Sequence, residues 1–294
     1  MHLKVKLFQR KHNILNQDKP HIILLIRNLN MNFFKALFGG KEESPEEKRL
    51  AEELKNFDIL KYDGVKALKT GQWGQAIRCL SHAISIKEDL ECRDYLSQAL
   101  LQNNELTASY EQLQKMQEAE PENQGILLRM AQVAFLMEDY GAMASSCEKA
   151  LLISQDNPEI YYLYGRACLG QEDLTNALAM YTKAISINEN YADAYLMRAN
   201  VLLEKGEVED ADKDSEWLME RAPEVEDVLL LKAKVEIAKG ELANALSFYN
   251  KVIEQNPFSI DGYRGRAELK QKTGDQQGAK EDLARLQEIE KPAE

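Results

Sequence analysis

Residues 158–191 read PEIYYLYGRACLGQEDLTNALAMYTKAISINENY, and two helical patterns meet in them at the polar turn Gln171-Glu172-Asp173. Tyr161, Tyr164, Gly165 and Cys168 share one face of the first pattern. Leu174, Ala177, Leu178, Tyr181, Ala184 and Ile185 share one face of the second. Apolar residues at i, i+3, i+4 and i+7 predict amphipathic helices. Helices this short are marginal in water by themselves. The unit must bury its apolar face, and copies of itself are at hand.

Stepping by 34 from Gly165 reaches Ala131 and Ser97 upstream and Ala199, Ala233 and Ala267 downstream, and a final step of 33 reaches Gly64. Every one of these residues is small. The same walk from Ala177 gives Ala76, Ser109, Met143, Ala211, Ala245 and Ala279. A third walk, from Ala184, gives Ala83, Met116, Ala150, Leu218, Val252 and Leu286. Small residues at helix crossings let backbones approach closely. A helix–turn–helix period of 34 residues is the mark of one repeat architecture.

On these residues the chain resembles the tetratricopeptide repeat family. That motif places an aromatic, Leu-Gly and Tyr in the first helix and Ala, an aromatic, Ala and Pro in the second. Tyr161, Gly165, Ala177, Tyr181 and Ala184 match it, whereas Tyr164, Cys168 and Glu189 stand where Leu, Tyr and Pro are usual. Pro121, Pro223 and Pro257 fill the last place in other repeats. The resemblance implies an all-α fold, a right-handed superhelical solenoid of stacked antiparallel helix pairs. It implies seven repeats, at 57–89, 90–123, 124–157, 158–191, 192–225, 226–259 and 260–290, and a tail at 291–294. Gly71, Gly206, Gly240 and Gly274 fall at equivalent turns, where a left-handed residue ends the first helix. The charge-rich seventh repeat reads as the C-terminal cap.

The formal net charge is −12, which favours solubility and speaks against nucleic acid as the partner, since phosphate binding needs a basic face. Cys79, Cys92, Cys147 and Cys168 include no CxxC pair. They read as core thiols in a reducing, cytoplasmic setting. Residues 1–30 differ from the rest, with six bases against the single acid Asp18. The plainest reading makes Met31 the true start. A disordered basic tail and a membrane-surface contact are the alternatives. Residues 31–56 hold a short apolar segment, MNFFKALFG at 31–39, and a charged linker in which Ser44-Pro45 with Glu47 marks a helix start. Packing on the first repeat or a neighbour is the favoured reading of 31–39; disorder and weak membrane contact are the alternatives, the last making the protein a membrane-associated assembly factor tethered through 31–39.

No GxSxG, HExxH, Walker-type or GxGxxG pattern occurs. Outside the first thirty residues His82 is the only histidine. The sequence offers no catalytic, cofactor or metal site, and the protein reads as a non-enzymatic binding scaffold. Glu207 to Asp227 is strongly acidic, either a solvated helix face or a docking patch for a basic partner, with Trp217 among the acids.

In the family the first helices line the concave side, at the second, fifth, sixth, ninth and twelfth positions of each repeat. Carried onto this sequence, the peptide-binding set is Leu128, Arg129, Gln132 and Phe135; Tyr162, Leu163 and Arg166; Leu196, Met197 and Asn200; and Leu230, Leu231 and Lys234. Such a groove suits a peptide or helix of a partner protein, with Tyr162 as the expected anchor. The family's carboxylate clamp is not assembled: Lys61 is in place, but Val65 and Tyr95 stand where Asn is expected.

Overall fold

In the computed structural model, residues 44–291 are described. Among them are fourteen helices and no strand. Contacts divide the chain into Met1–Ile59 and Leu60–Glu294. The first unit's described part is a length of helix α1 (Pro45–Lys69), which continues into the second. Ser44 and Glu47 close a capping box at its start: the Glu47 N–H donates to Ser44 Oγ at 3.2 Å and the Ser44 N–H to Glu47 Oε2 at 2.7 Å. The stretch expected as a charged linker is therefore helical from Pro45. No breaker interrupts its Glu- and Lys-rich course, and Arg49 pairs with Glu53 one turn on at 3.5 Å. The readings of 1–30 and 31–39 fall outside the described residues.

The second unit holds the end of α1 and α2 (Trp73–Ile86), α3 (Leu90–Gln102), α4 (Leu106–Ala119), α5 (Gln124–Leu136), α6 (Tyr140–Ile153) and α7 (Pro158–Gly170). It continues with α8 (Leu174–Ile187), α9 (Ala192–Glu204), α10 (Val208–Arg221), α11 (Glu226–Lys239), α12 (Leu242–Gln255), α13 (Ile260–Thr273) and α14 (Gln276–Ile289). From α2 on, each helix packs on the next, and the first helices of neighbouring pairs also touch, α5 with α7 and α9 with α11. This is a solenoid of stacked helix pairs. All three walks of small and apolar residues run through its interior, from Gly64 to Ala267, Ala76 to Ala279 and Ala83 to Leu286. A Cβ on Gly165 would stand 2.6 Å from the Tyr181 ring, so only glycine admits that crossing.

Each first helix ends on a left-handed residue, and the next N–H reaches back to the last turn. Gly71, Asn104, Glu138, Glu172, Gly206, Gly240 and Gly274 all have positive φ. The seven bonds that follow, from Gln72 N–H to Ala67 C=O through Asp275 N–H to Lys270 C=O, measure 2.8–2.9 Å. They satisfy carbonyls that the helix end leaves open. The donating residue then caps the second helix. The carboxylates of Asp139, Asp173 and Asp275 accept from Ala142, Asn176 and Gly278 N–H, whereas Gln72, Glu105, Glu207 and Glu241 give no side-chain cap.

The acidic helix α10 is not solvated all round. Asp214 is 4% exposed; Arg198 grips its two oxygens at 2.8 and 2.6 Å. Two repeats on, Arg266 holds Asp282 in the same way, at 2.9 and 2.6 Å. Between them Asp212 accepts from Lys232 and Lys239, both at 2.6 Å. Burial pushes the Asp212 carboxyl up, but these two ammonium donors hold it below the usual carboxylate range. Trp217 stacks on Tyr195 with ring centres 4.0 Å apart and lies under Arg221. Glu209, Asp210, Glu216 and Glu220 remain exposed.

Candidate functional site

Positions two, five, six, nine and twelve of the first helices line a cleft of about 550 Å³ between α9, α11 and α13. Its apolar surface comes from Leu196, Leu230, Leu231 and Ile237, with the Tyr249 ring behind. Asn200, Lys234, Asp227 and Glu268 stand around it. A cavity of this size, apolar with a few polar groups, has the proportions of a binding site. Gly265 opens the floor: a Cβ there would lie 2.4 Å from the Tyr249 ring. Burial raises the Tyr249 hydroxyl, with Glu268 acting in the same direction, so the phenol stays protonated at neutral pH.

The expected residues divide into three groups. Leu196, Asn200, Leu230, Leu231 and Lys234 come together in this cleft. Phe135, Arg166 and Met197 line a smaller opening of about 260 Å³ further up, with Tyr140, Leu169 and Gly170. The remainder are engaged elsewhere. Arg129 is drawn back to the second repeat, donating to Asp94 and, at 2.6 Å, to Ser97 Oγ. Gln132 donates to Glu159 at 3.1 Å. Leu128 is half-buried against the core. Tyr162 packs its ring 5.2 Å from Tyr191 and 6.0 Å from Tyr181, so part of the expected anchor is committed to the scaffold. Burial, chiefly, raises its hydroxyl.

Leu163 and Leu231 are core residues, 4% and 1% exposed, where open groove positions were expected. Volume explains this. Tyr181 packs with Met197 and Cys147 with Leu163, each sixteen residues on. The same spacing sets Gly265 against Tyr249. A small residue on one side is matched by a leucine on the other, and a tyrosine by a glycine, as close packing requires. Leu231 meets the cleft only at its edge.

The sequence reading missed the seventh repeat's share of the cleft, namely Asp261, Arg264, Gly265 and Glu268. They occupy the second, fifth, sixth and ninth positions, so the signal was present. The repeat's charge made it read as a cap alone. Arg264 is partly spent, pairing with Asp261 at 3.2 Å and Glu290 at 3.3 Å. Lys61, at the first place of the carboxylate clamp, is likewise held by Asp89 at 3.1 Å and Glu91 at 2.6 Å.

Burial pushes the Cys92 and Cys147 thiols up to about 12, which leaves almost no thiolate at neutral pH. His82 is exposed on α2. Among the described residues no group of three His, Cys, Asp or Glu gathers as a metal site would require. The inward carboxylates of Asp212, Asp214 and Asp282 face bases, not one another.

Residues 165–206 match the family described as TPR repeat and residues 196–260 match Tetratricopeptide repeat. No curated protein matches the chain. Among solved structures it resembles a tetratricopeptide repeat protein from Parabacteroides merdae ATCC 43184, with 15% identity and TM-score 0.70 over 81% of this chain and 94% of that one. PilW, a widely conserved type IV pilus biogenesis factor, is similar at 18% identity and TM-score 0.60, over 67% of this chain and 92% of its own. YrrB, a TPR protein with an unusual peptide-binding site, is similar at 21% identity and TM-score 0.51, over 64% and 97%. At such identities the likeness is one of fold.

Proposed function

We propose that this chain, a tetratricopeptide-repeat protein, is a non-enzymatic scaffold that holds a peptide or helix of a partner protein along its first-helix series. The repeats make it an interaction scaffold in the broad sense. The observation that supports the finer reading is the cleft between α9, α11 and α13. Leu196 of α9 and Leu230, Leu231 and Ile237 of α11 stand beside an open space that α13 closes and that Lys234, Asp227 and Glu268 rim. Apolar anchors of the partner would supply most of the affinity and the rim charges would set its direction. YrrB has an unusual peptide-binding site on a similar fold, which is in keeping with this reading.

The experiment is a pulldown read by mass spectrometry with three proteins: wild type, Leu196→Arg in the cleft, and Glu209→Lys with Glu216→Lys on the exposed side of α10. Partners lost by Leu196→Arg and kept by the α10 variant support the cleft. The reverse pattern, with both variants folded, moves binding to the acidic face. The alternative of a membrane tether through 31–39 rests on residues outside the described ones. Among the described residues no helix is long and apolar enough to cross a membrane. Fractionation of the chain with and without residues 1–39 tests the tether.

A further inference from the structure

Higher on the same helix series lies a seat of different chemistry. Arg166 occupies the ninth position of the fourth repeat. Its guanidinium carbon stands 3.6 Å from the centre of the Phe135 ring and 5.8 Å from that of Tyr162. Contact with a ring covers a face of the guanidinium and leaves the N–H edge to other partners. Leu169, Met197 and Tyr140 line the adjoining opening of about 260 Å³. Gly170 makes room for it, because a Cβ there would lie 2.4 Å from the Tyr140 ring.

The arginines elsewhere in the solenoid show what is unusual about Arg166. Arg93, Arg129, Arg198, Arg264, Arg266 and Arg285 each pair with a carboxylate. So do Arg49 and Arg221. Arg78 pairs with none among the described residues, but it is exposed. Arg166 is half-buried, and no carboxylate among the described residues forms an ion pair with it. Glu159, one helical turn and more before Arg166 on the same helix, accepts from Gln132. The one side-chain hydrogen bond of Arg166 among the described residues goes to the Tyr162 hydroxyl, and a half-buried guanidinium with further donors, beside an apolar hollow, is complementary to an acid next to an apolar side chain.

We infer that the Arg166 seat recognises an internal Asp or Glu of the partner peptide, with the neighbouring apolar residue lodged between Phe135, Leu169 and Met197. This rests on the groove reading above and adds the partner's chemistry to it. An internal acid fits better than a chain terminus, because the helix series runs on past the seat to the cleft at Leu196 and Leu230.

The test is selection from a random heptapeptide library acetylated at the N-terminus and amidated at the C-terminus, beside a second library with free C-termini. Wild type should enrich Asp or Glu next to an apolar residue in the blocked library. Arg166→Gln should keep the apolar preference and lose the acidic one, and Arg166→Glu should select Lys or Arg instead. Should a variant fail to fold, wild type alone still decides: changing the enriched Asp to Asn, or Glu to Gln, should weaken binding roughly tenfold or more. An apolar preference with no acid, an acid preference unchanged in Arg166→Gln, or enrichment confined to free C-termini overturns this inference and leaves the groove standing. No enrichment at all overturns both.

Discussion

The turns that join each helix pair give a sharp stability prediction. Gly71, Gly206, Gly240 and Gly274 meet the left-handed requirement with glycine, but Asn104, Glu138 and Glu172 meet it with φ of 60, 56 and 61°. For an L-residue with a Cβ this region costs roughly 1–2 kcal/mol, less for Asn. Replacing Glu138 or Glu172 by Gly removes that cost. It also loosens the unfolded chain, which returns up to about 1 kcal/mol. Neither glutamate side chain forms a hydrogen bond or ion pair among the described residues, both are exposed, and the backbone bonds of Glu138 and Glu172 N–H to Phe135 and Leu169 C=O are kept by glycine. The expected net gain is about 0.5–1 kcal/mol at each site. The sites lie in different turns with no shared partner, so the double variant should gain about 1–2 kcal/mol. The converse holds at Gly206, where a Cβ would meet nothing within 4 Å. Gly206→Ala therefore isolates the backbone term and should cost about 1 kcal/mol. Urea unfolding followed by circular dichroism reads all four variants, the midpoint moving while the slope stays fixed. If Glu172→Gly lowers the midpoint, or Gly206→Ala leaves it unchanged, the turn geometry is wrong and the helix-pair boundaries with it.

Three further outcomes follow from the packing. Gly165→Val should destabilise by on the order of 1–3 kcal/mol in thermal melts, because its Cβ would stand 2.6 Å from the fully buried Tyr181 ring and overpacking outweighs the better helix propensity. Asp282→Asn should cost about 3 kcal/mol at pH 7, since it breaks a buried pair with Arg266 and leaves the arginine unmatched. The Asp282 carboxyl feels burial, which raises it, and the Arg266 and Lys270 donors, which prevail and hold it below 3.8. A depressed carboxylate contributes stability above its unfolded value near 4 and loses it as pH falls through the lower folded value. The difference between wild type and Asp282→Asn should therefore be full above about pH 5 and shrink below pH 4; a difference that grows in acid would count against the pair. Trp217→Ala should cost about 3 kcal/mol or more, measured by urea unfolding, by removing the stack on Tyr195.

The fold was legible because one constraint recurs. Close crossings demand small residues, and the walks through Gly165, Ala177 and Ala184 record that demand in every repeat. The turns were legible where glycine marked them. Asn104, Glu138 and Glu172 escaped notice because a capped helix pair can force an ordinary residue left-handed, and no residue type signals this. The candidate site was less legible. Position within a repeat brings Leu196, Asn200, Leu230 and Lys234 to the lining of one cleft, Leu230 with only 8% of its surface exposed. It did not foresee Leu163 inside the core, because that depends on the size of Cys147 across the interface. Nor did net charge show that Asp212 and Asp214 point inward, since their partners Lys232, Lys239 and Arg198 lie on other helices. Arg129, at the sixth position of its repeat, finds Asp94, whereas Arg166, at the ninth, finds the Phe135 ring and the ring and hydroxyl of Tyr162.

The central claim is that partners bind along the first helices. Hydrogen exchange of the full chain, with and without the tightest peptide from the blocked library, tests it most directly. Slowed exchange among the first helices, 124–136, 158–170, 192–204, 226–239 and 260–273, with 208–221 and 242–255 unchanged, is the predicted result. Protection confined to 208–221 and 242–255, the second helices, would contradict it.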